Sequence, residues 1–326
     1  MNRPHLLYRL EHLVVVSVAA VVIRLPEAGA VALGVALGWI ASSLLRIRRV
    51  VVRENLGRAF PERSPGWYRR VTRASYRHLG REVVSLLRFG RMLPAEIRSR
   101  CEVEGLELIQ GPLARGQGVI VLGGHFGNWE VAGASLTARG IPVDAVVRRQ
   151  SNPLFDEYMI HARRRLGWGV IYQHKATRRV MKCLQDSRVV ALVADQNFTG
   201  KGVFVDFFGF PASTVRGPGI LAIRTGVPVL FCDPRRLPGS KARYRVRFSP
   251  ILYEPADDLE ENVHRLTRAY MASLEEVIRE SPEQYFWFHK RWKTQPKVRE
   301  PGSSVKVAQG ATENPSHAEY AQGDVD

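Results

Sequence analysis

The sequence predicts an α/β protein with a central, mostly parallel sheet flanked by helices, preceded by an N-terminal membrane-embedded helical segment. Three observations support this prediction. Short apolar runs alternate with amphipathic ones from Gly116 onward, as in parallel sheets connected by helices. Two apolar runs lie within residues 1–45, and a chain of 326 residues can bury a substantial core.

The first 45 residues contain the two apolar runs. Residues 12–23 read HLVVVSVAAVVI, and after a short interruption residues 28–45 carry no charge. Eighteen uncharged residues are near the minimum for a helix that crosses about 30 Å of hydrocarbon, and the first run is too short to span alone. We expect one spanning helix with a shallow leader, or a helical pair inserted into one leaflet; a buried core helix is the alternative.

The charge distribution indicates anionic partners. Arginines follow the second apolar run directly, which favours a cytoplasmic location for the rest of the chain and attraction to anionic lipids; they are Arg46, Arg48, Arg49 and Arg53. The chain carries +17, and residues 297–326 have three basic against five acidic side chains, so the remainder carries +19. Such a charge fits nucleic acid, an acidic membrane surface or phosphorylated substrates.

We divide the chain into a membrane anchor (1–45), an α/β domain (46–296) and a disordered tail (297–326) that lacks apolar periodicity. Within the domain, residues 54–113 are predicted to be mainly helical. Strands are predicted in 117–124, 142–148, 188–195 and 227–233, with a further strand or hairpin arm in 242–254. Helices are predicted in 128–140, 153–168, 175–186, 214–226 and 257–280.

The cysteines give no indication of a disulfide framework or a zinc site. They are three, far apart and without ligand spacing, which favours free buried thiols; they are Cys101, Cys183 and Cys232. We therefore expect no metal and no cofactor.

The segment VLGGHFGNWEVAG contains the candidate catalytic pair. His125 follows an apolar strand and two glycines, at the carboxyl end of a strand where parallel α/β sheets bind ligands. Histidine is the side chain best suited to accept a proton near neutral pH. If Asn128 caps the following helix, Glu130 lies in its first turn, where a carboxylate can hydrogen-bond the imidazole and fix its tautomer.

This pair lacks a protein nucleophile. No Gly-x-Ser-x-Gly elbow occurs in the sequence, so an acceptor hydroxyl would have to be the nucleophile. Spacing alone leaves a structural histidine open, and a glutamate in a first helical turn is favoured by the helix dipole in any case.

The same segment resembles the signature of the lipid A late acyltransferases (lauroyl and myristoyl transferases), a family within the lysophospholipid acyltransferases marked by His, four residues, then Asp or Glu. The resemblance extends from about Leu25 to Pro296. Further blocks follow in the family's order: RENLGRAFPERS, RRQSNPLFDEYM, VALVADQNF, FFGFPASTVRGPGILAIRTGVPV and YFWFHKRWK.

The resemblance implies transfer of a fatty acyl group from an acyl carrier protein thioester to a hydroxyl of a phosphorylated lipid A precursor at the inner membrane, with the catalytic domain in the cytoplasm. It implies His125 as general base and Glu130 as its partner, with the thioester as co-substrate. Arg148, Arg165 and Asp195 match family positions, and Arg148 would pair with Asp195 or bind phosphate. The candidates for substrate binding or for stabilising the oxyanion are the backbone amides at the start of the helix together with Arg148, Arg165, Asp195 and Asn128.

Two other interpretations remain open. One is an acyl-coenzyme A-dependent enzyme of the same group acting on another glycolipid, such as a phosphatidylinositol mannoside. The other is a non-catalytic basic membrane protein that binds anionic lipid or nucleic acid. The apolar N-terminal segment and the lack of a recognisable nucleic-acid-binding motif count against nucleic acid.

Overall fold

A computed structural model describes residues 5–296, which form eleven helices and nine strands. The helices are α1 (His5–Arg24), α2 (Glu27–Ser43), α3 (Arg49–Ala59), α4 (Pro65–Phe89), α5 (Pro94–Arg100), α6 (Glu107–Ala114), α7 (Trp129–Thr137), α8 (Pro153–Arg165), α9 (Ala176–Gln185), α10 (Gly217–Thr225) and α11 (Leu259–Glu280). The strands are β1 (Cys101–Glu104), β2 (Val119–Gly123), β3 (Val143–Val147), β4 (Gly169–Tyr172), β5 (Val189–Val193), β6 (Val203–Phe207), β7 (Phe210–Thr214), β8 (Val229–Arg236) and β9 (Tyr244–Pro250). The predicted tail lies outside the described residues.

Seven strands form one sheet in the order β1-β9-β8-β2-β5-β3-β4. Strands β8, β2, β5, β3 and β4 are parallel to one another, and β9 is antiparallel to β8. All five residues of β2 are buried, as expected for a central strand covered on both faces by helices. The predicted mostly parallel α/β fold is therefore confirmed.

Three parts of the sheet structure were not predicted. Strand β1 lies within the region predicted to be mainly helical. It was missed because four residues are too few to give a clear alternating pattern. Strand β4 is equally short, and β6 and β7 form a separate antiparallel hairpin.

Strand β5 separates from β3 toward the carboxyl edge of the sheet. It pairs with β2 over five residues but with β3 over only three, from Val143–Val189 to Ala145–Ala191. Beyond these pairs, β3 continues along β4 as far as Val147. The separation opens the sheet at the edge where loops from β2, β3 and β5 meet.

The two N-terminal apolar runs form helices with different bounds from those predicted. Helix α1 has 20 residues and is, by length and composition, the one described helix that qualifies as a membrane span; α2 has 17 residues. The prediction that the first run is too short was wrong because α1 extends back through polar residues. The amide of Asn152 donates to the Tyr8 carbonyl at 3.0 Å and to Glu11 at 3.0 Å, which gives these polar groups partners on the domain.

Helix α2 crosses α4 at very short range. A Cβ atom on Gly38 would lie 2.2 Å from the Tyr76 carbonyl oxygen, and one on Gly80 would lie 2.0 Å from the Gly34 carbonyl oxygen. Only glycine permits this approach of the two backbones. Helix α4 is thus fixed on one side to the N-terminal helices.

The other side of α4 binds the loop between β2 and α7 through the buried carboxylate of Glu82. This carboxylate accepts hydrogen bonds from Asn128 Nδ2 at 2.7 Å, Tyr244 Oη at 2.8 Å and Arg236 Nη1 at 3.0 Å. One turn earlier, His78 Nε2 lies 3.3 Å from the Gly127 carbonyl oxygen. Burial, opposed by the charge of Glu82, lowers the pKa of His78, so the neutral ring donates to that carbonyl.

We expect Glu82→Gln to destabilise the protein by about 3–5 kcal/mol, because it leaves Arg236 buried without its carboxylate partner. The double variant Glu82→Gln/Asn128→Asp should recover most of this loss, because the new amide can donate to Asp at position 128 and one carboxylate stays in the cluster. Chemical denaturation followed by circular dichroism measures both. The control Glu102→Gln removes an exposed ion pair with Arg243 and should cost at most about 1 kcal/mol. Equal stability of the single and double variants would contradict this account.

Candidate active site

His125 and Asp195 face each other across two neighbouring strands. In the parallel register Gly123 is opposite Val193, and each of the two side chains comes two residues after its strand. His125 Nδ1 lies 2.6 Å from Asp195 Oδ1, and the His125 backbone N–H donates to Oδ2 at 3.1 Å. Because the carboxylate accepts at Nδ1, the neutral ring carries its free lone pair on Nε2.

Asp195 is almost completely buried, with 1% of the residue exposed. Burial by itself raises the pKa of this carboxyl, but the His125 ring, the hydrogen bonds from His125 and the charge of Arg291 outweigh burial and lower the pKa below its usual value. Asp195 is therefore ionised at neutral pH and can stabilise a protonated imidazole.

The loop that carries His125 has little conformational freedom. Gly127 has a φ of +55°, and a Cβ atom there would lie 1.8 Å from the Pro234 carbonyl oxygen. The Asn128 side chain accepts from the Val131 N–H at 3.0 Å, which confirms the predicted helix cap. The amide of Phe286 donates to the His125 carbonyl at 2.8 Å, so the loop is held from both sides.

Aromatic residues near the C-terminal end of the described chain surround the pair. The ring of Phe286 lies 5.9 Å from that of His125, and Trp129 contacts the imidazole edge-on at 4.9 Å. His289 accepts a hydrogen bond from the Asn197 N–H at 2.9 Å. Burial lowers the pKa of His289, in agreement with its role as a neutral acceptor.

Glu130 does not take the position expected from the sequence. Its carboxylate receives two hydrogen bonds from Arg163, from Nε at 3.0 Å and from Nη2. Burial lowers the pKa of Arg163, but Glu130 outweighs this and the pKa is raised, so the guanidinium stays charged. The hydrogen bond predicted between Glu130 and His125 is thus replaced by two separate pairs, because β5 brings Asp195 to the imidazole while α8 brings Arg163 to the glutamate.

Arg148 and Arg165, the other two arginines predicted from the sequence, are both outside the His125–Asp195 pair. Arg148 is exposed at the rim of the cavity described below, and the carboxylate of Asp195, its expected partner, is bound by His125 instead. Arg165 is exposed and lies outside the cavity lining. The sequence resemblance pointed to Arg165, but the residue that reaches the cavity is Arg163. Arg163 comes after Asp156 and Ile160 at helical spacing and therefore lies on the buried face of α8, which is the sequence signal that distinguishes it from Arg165.

A cavity of about 1070 Å³ opens at the carboxyl edge of the sheet and is lined by His125, Glu130 and Arg163. His125 Nε2 has the side-chain amide nitrogen of Gln196 at 3.3 Å, and Gln196 also lines the cavity. One arm of the cavity extends between α7 and the sheet and is lined by apolar side chains. They are Val121, Ala132, Leu136, Val143, Ala145, Trp168, Cys232 and Phe248.

Within the described residues, the side-chain hydrogen bonds of the His125 ring are with Asp195 and Gln196, and none is with a serine, threonine or cysteine. Burial raises the pKa of the Cys232 thiol far above its usual value, so it stays protonated. Within residues 5–296 no group of three or more His, Cys, Asp or Glu side chains is placed to hold a metal ion. His125 Nε2 thus faces a cavity that a hydroxyl-bearing molecule can enter.

Comparison with known proteins agrees with this geometry. The model of the family described as bacterial lipid A biosynthesis acyltransferase matches residues 2–294. The lipid A biosynthesis lauroyltransferase of Escherichia coli is 29% identical over 284 residues, which cover 86% of this chain and 90% of that protein. The palmitoleoyltransferase of the same organism is 27% identical over 280 residues, covering 84% and 88%.

A second group of similar proteins acts on another glycolipid by name. The phosphatidylinositol mannoside acyltransferase of Mycobacterium tuberculosis is 31% identical over 186 residues, which cover 55% of this chain and 58% of that protein. The family match, by contrast, extends over nearly all of the described residues. This chain is therefore an acyltransferase that belongs to the bacterial lipid A biosynthesis acyltransferase family.

Proposed function

We propose that this protein transfers a fatty acyl group from an acyl carrier protein thioester to a hydroxyl of a phosphorylated lipid A precursor at the cytoplasmic face of the inner membrane. The observation that carries the proposal is the His125–Asp195 pair, which directs Nε2 of the imidazole to the wall of a large cavity with an apolar arm. Family membership supports acyl transfer to a lipid A-type acceptor.

His125 is the general base of this proposed reaction and Asp195 orients it. Nε2 removes the proton from the acceptor hydroxyl while the oxygen attacks the thioester carbonyl. Asp195 holds the Nδ1–H tautomer and stabilises the imidazolium, which then protonates the departing thiolate. In this assignment Asp195 takes the orienting role that the sequence suggested for Glu130.

Glu130 acts through Arg163 instead. The carboxylate binds Nε and Nη2 of the guanidinium, so Nη1 is available to an anionic group in the cavity. Both residues line that cavity, and the side chain of Arg163 is only 15% exposed. A cation held this way binds a phosphate or another anionic oxygen of the substrate with little loss of conformational entropy.

The mouth of the cavity suits an acidic donor protein. Three exposed arginines line the cavity: Arg148, Arg149 and Arg224. Acyl carrier proteins are acidic, so these side chains would attract one. Coenzyme A, the donor in the alternative proposal, offers only its own phosphates to this surface.

We expect His125→Ala to lower kcat by about 10²–10⁴-fold, the usual contribution of a general base. Asp195→Asn should also lower kcat and should move the acidic limb of the pH–rate profile to lower pH, because the imidazolium loses its carboxylate. Glu130→Gln should weaken substrate binding without moving that limb. Purified variants would be assayed with a radiolabelled lipid A precursor and with acyl carrier protein or coenzyme A thioesters as competing donors.

Thermal unfolding of the same variants serves as the control for folding. Normal transfer by His125→Ala would exclude the base assignment and favour a non-catalytic role. A shift of the acidic limb in Glu130→Gln but not in Asp195→Asn would return the orienting role to Glu130. Transfer only to phosphatidylinositol mannoside, or only from coenzyme A, would establish the alternative acyltransferase.

The apolar arm between α7 and the sheet is the proposed site of the acyl chain. Its walls contain no charged side chain among the residues named above, and the small side chains of Ala132 and Ala145 leave the space that a chain needs. Burial of methylene groups there contributes about 0.8 kcal/mol for each group. The depth of the arm would then set the preferred chain length.

We expect Ala132→Leu to shorten the arm and shift preference toward thioesters with fewer carbons, and Leu136→Ala to shift it toward longer ones. The ratio of kcat/KM for C10, C12, C14 and C16 thioesters measures both effects, and one methylene group at about 0.8 kcal/mol corresponds to about fourfold. If the kcat/KM ratios of both Ala132→Leu and Leu136→Ala equal those of the parent protein, the acyl chain binds elsewhere. Activity retained with the best chain shows that each variant folds.

Helices α1 and α2 are the proposed membrane-binding surface. Both ends of α1 are bound to the domain, by Asn152 at Tyr8 and by the Arg88 guanidinium at the Val22 and Leu25 carbonyls, each 2.7 Å away. A helix held at both ends to one compact body lies along its surface. This favours insertion of the helical pair into one leaflet over a spanning helix.

The outer face of α1 supports this arrangement. Exposed apolar side chains recur at helical spacing along it: Leu6, Leu10, Leu13, Val14 and Val21. Leu44, Leu45 and Ile47 continue the exposed apolar surface beside Arg46 in the turn after α2. An apolar face flanked by arginines is typical of helices that lie in an anionic bilayer surface.

We expect Leu10→Glu/Leu13→Glu to reduce binding to vesicles of phosphatidylglycerol and phosphatidylethanolamine by at least 10-fold in flotation assays, because two leucines no longer enter hydrocarbon. The control Leu93→Glu/Leu252→Glu changes two exposed leucines outside α1 and α2 and should bind nearly as the parent does. Equal loss in both would show that general surface hydrophobicity, rather than α1, drives binding. Extraction of the parent protein by high salt or carbonate would argue against insertion.

A further inference from the structure

We propose that Gln196 is a further catalytic residue of the acyl transfer described above, on which this inference rests: its side-chain amide donates a hydrogen bond to the oxyanion that forms on the thioester carbonyl. In this structure the same amide nitrogen lies 3.3 Å from Nε2 of His125. The two positions are the start and the end of one small side-chain movement.

The backbone on both sides of Gln196 is fixed. Asp195 precedes it and is bound to His125 through two atoms. Asn197 follows it, with its N–H bound to His289 at 2.9 Å and its side-chain amide bound to Thr294 at 3.0 Å. At this point of the chain the movement is therefore confined to the side chain of Gln196, which lines the cavity.

The contacts of Gln196 differ from those of structural amides in this protein. Asn55 donates to two backbone carbonyls, at 2.8 Å and 2.7 Å, and thereby joins two segments of chain. For Gln196, the side-chain hydrogen bond found in the described part of the chain is the one to His125 Nε2, at 3.3 Å. That bond is long and occupies the lone pair that catalysis requires, so it is suited to being exchanged.

The chemistry requires this exchange. An acceptor hydroxyl must take the place of the amide at Nε2 before it can give up its proton. When its oxygen bonds to the thioester carbon, the proton passes to Nε2 and the carbonyl π pair moves to oxygen as an oxyanion. The displaced N–H can then donate a hydrogen bond to that oxyanion. Collapse restores the carbonyl, breaks the C–S bond and returns the proton from the imidazolium to the thiolate.

A neutral donor is well suited to this place. An amide stabilises negative charge in a cavity without adding a positive charge next to His125, which would oppose protonation of the imidazole. Arg163, held by Glu130, remains assigned to an anionic group of the substrate.

The test compares Gln196→Met, which keeps the length but removes the donor, with Gln185→Met as the matched control. Gln185 is exposed at the end of α9, before β5 begins, and so lies at the opposite end of that strand. We expect Gln196→Met to lower kcat about 10²–10³-fold, with KM changed less than threefold. Gln185→Met should behave as the parent does in both constants.

Gln196→Glu provides a second test through the pH–rate profile, which would not change if Gln196 had only a structural role. A carboxylate beside Nε2 favours the imidazolium, so the acidic limb of the pH–rate profile should shift to higher pH while kcat stays low. A kcat within threefold of the parent for Gln196→Met, a loss confined to KM, or an unshifted limb for Gln196→Glu would overturn the inference. If His125→Ala also keeps its activity, the proposed function itself fails; if His125→Ala is inactive and Gln196→Met is active, only the role of Gln196 fails.

Discussion

The contact between His125 and Asp195 depends on the parallel register of β2 and β5. Each side chain comes two residues after its strand, and the register places the strand ends opposite one another, so the imidazole and the carboxylate meet at 2.6 Å. A shift by one residue would separate them and turn one strand's buried side chains to the opposite face. The direction of the Nε2 lone pair, the ionisation of Asp195 and the position of the cavity all follow from this pairing.

Buried polar groups join the elements around the sheet to one another. The carboxylate of Glu82 collects donors from α7, β8 and β9, and a buried charge of this kind is tolerated only when its hydrogen bonds are complete. Arg291 acts comparably behind Asp195, where it donates to Ser213 and Thr214 of β7. Helix α4, which carries Glu82, also carries the glycine crossing with α2. The proposed membrane surface and the loop that carries His125 are therefore parts of one compact unit.

The two carboxylates nearest the cavity have different partners and, in our proposal, different roles. Asp195 holds an imidazole that must change its protonation state, whereas Glu130 holds a guanidinium that stays charged throughout. Keeping the two pairs apart lets the site bind an anionic substrate without placing the arginine charge on the base. The opening between β3 and β5 adds room for an apolar chain beside both pairs, which joins binding and chemistry at one edge of the sheet.

The sequence by itself determined the elements whose signals are local: the buried strand before His125, the Asn128 cap, the alternation of strands and helices, and the apolar N-terminal segment. It also placed Asp195 at the end of a strand and Glu130 in a first helical turn. Only the tertiary structure decided which of the two reaches His125, because strand order is set by how helices cover the sheet and not by any one segment. For the same reason, the buried position of Arg163, the approach of Gln196 to Nε2 and the attachment of both ends of α1 required the folded chain, since each joins residues far apart in sequence.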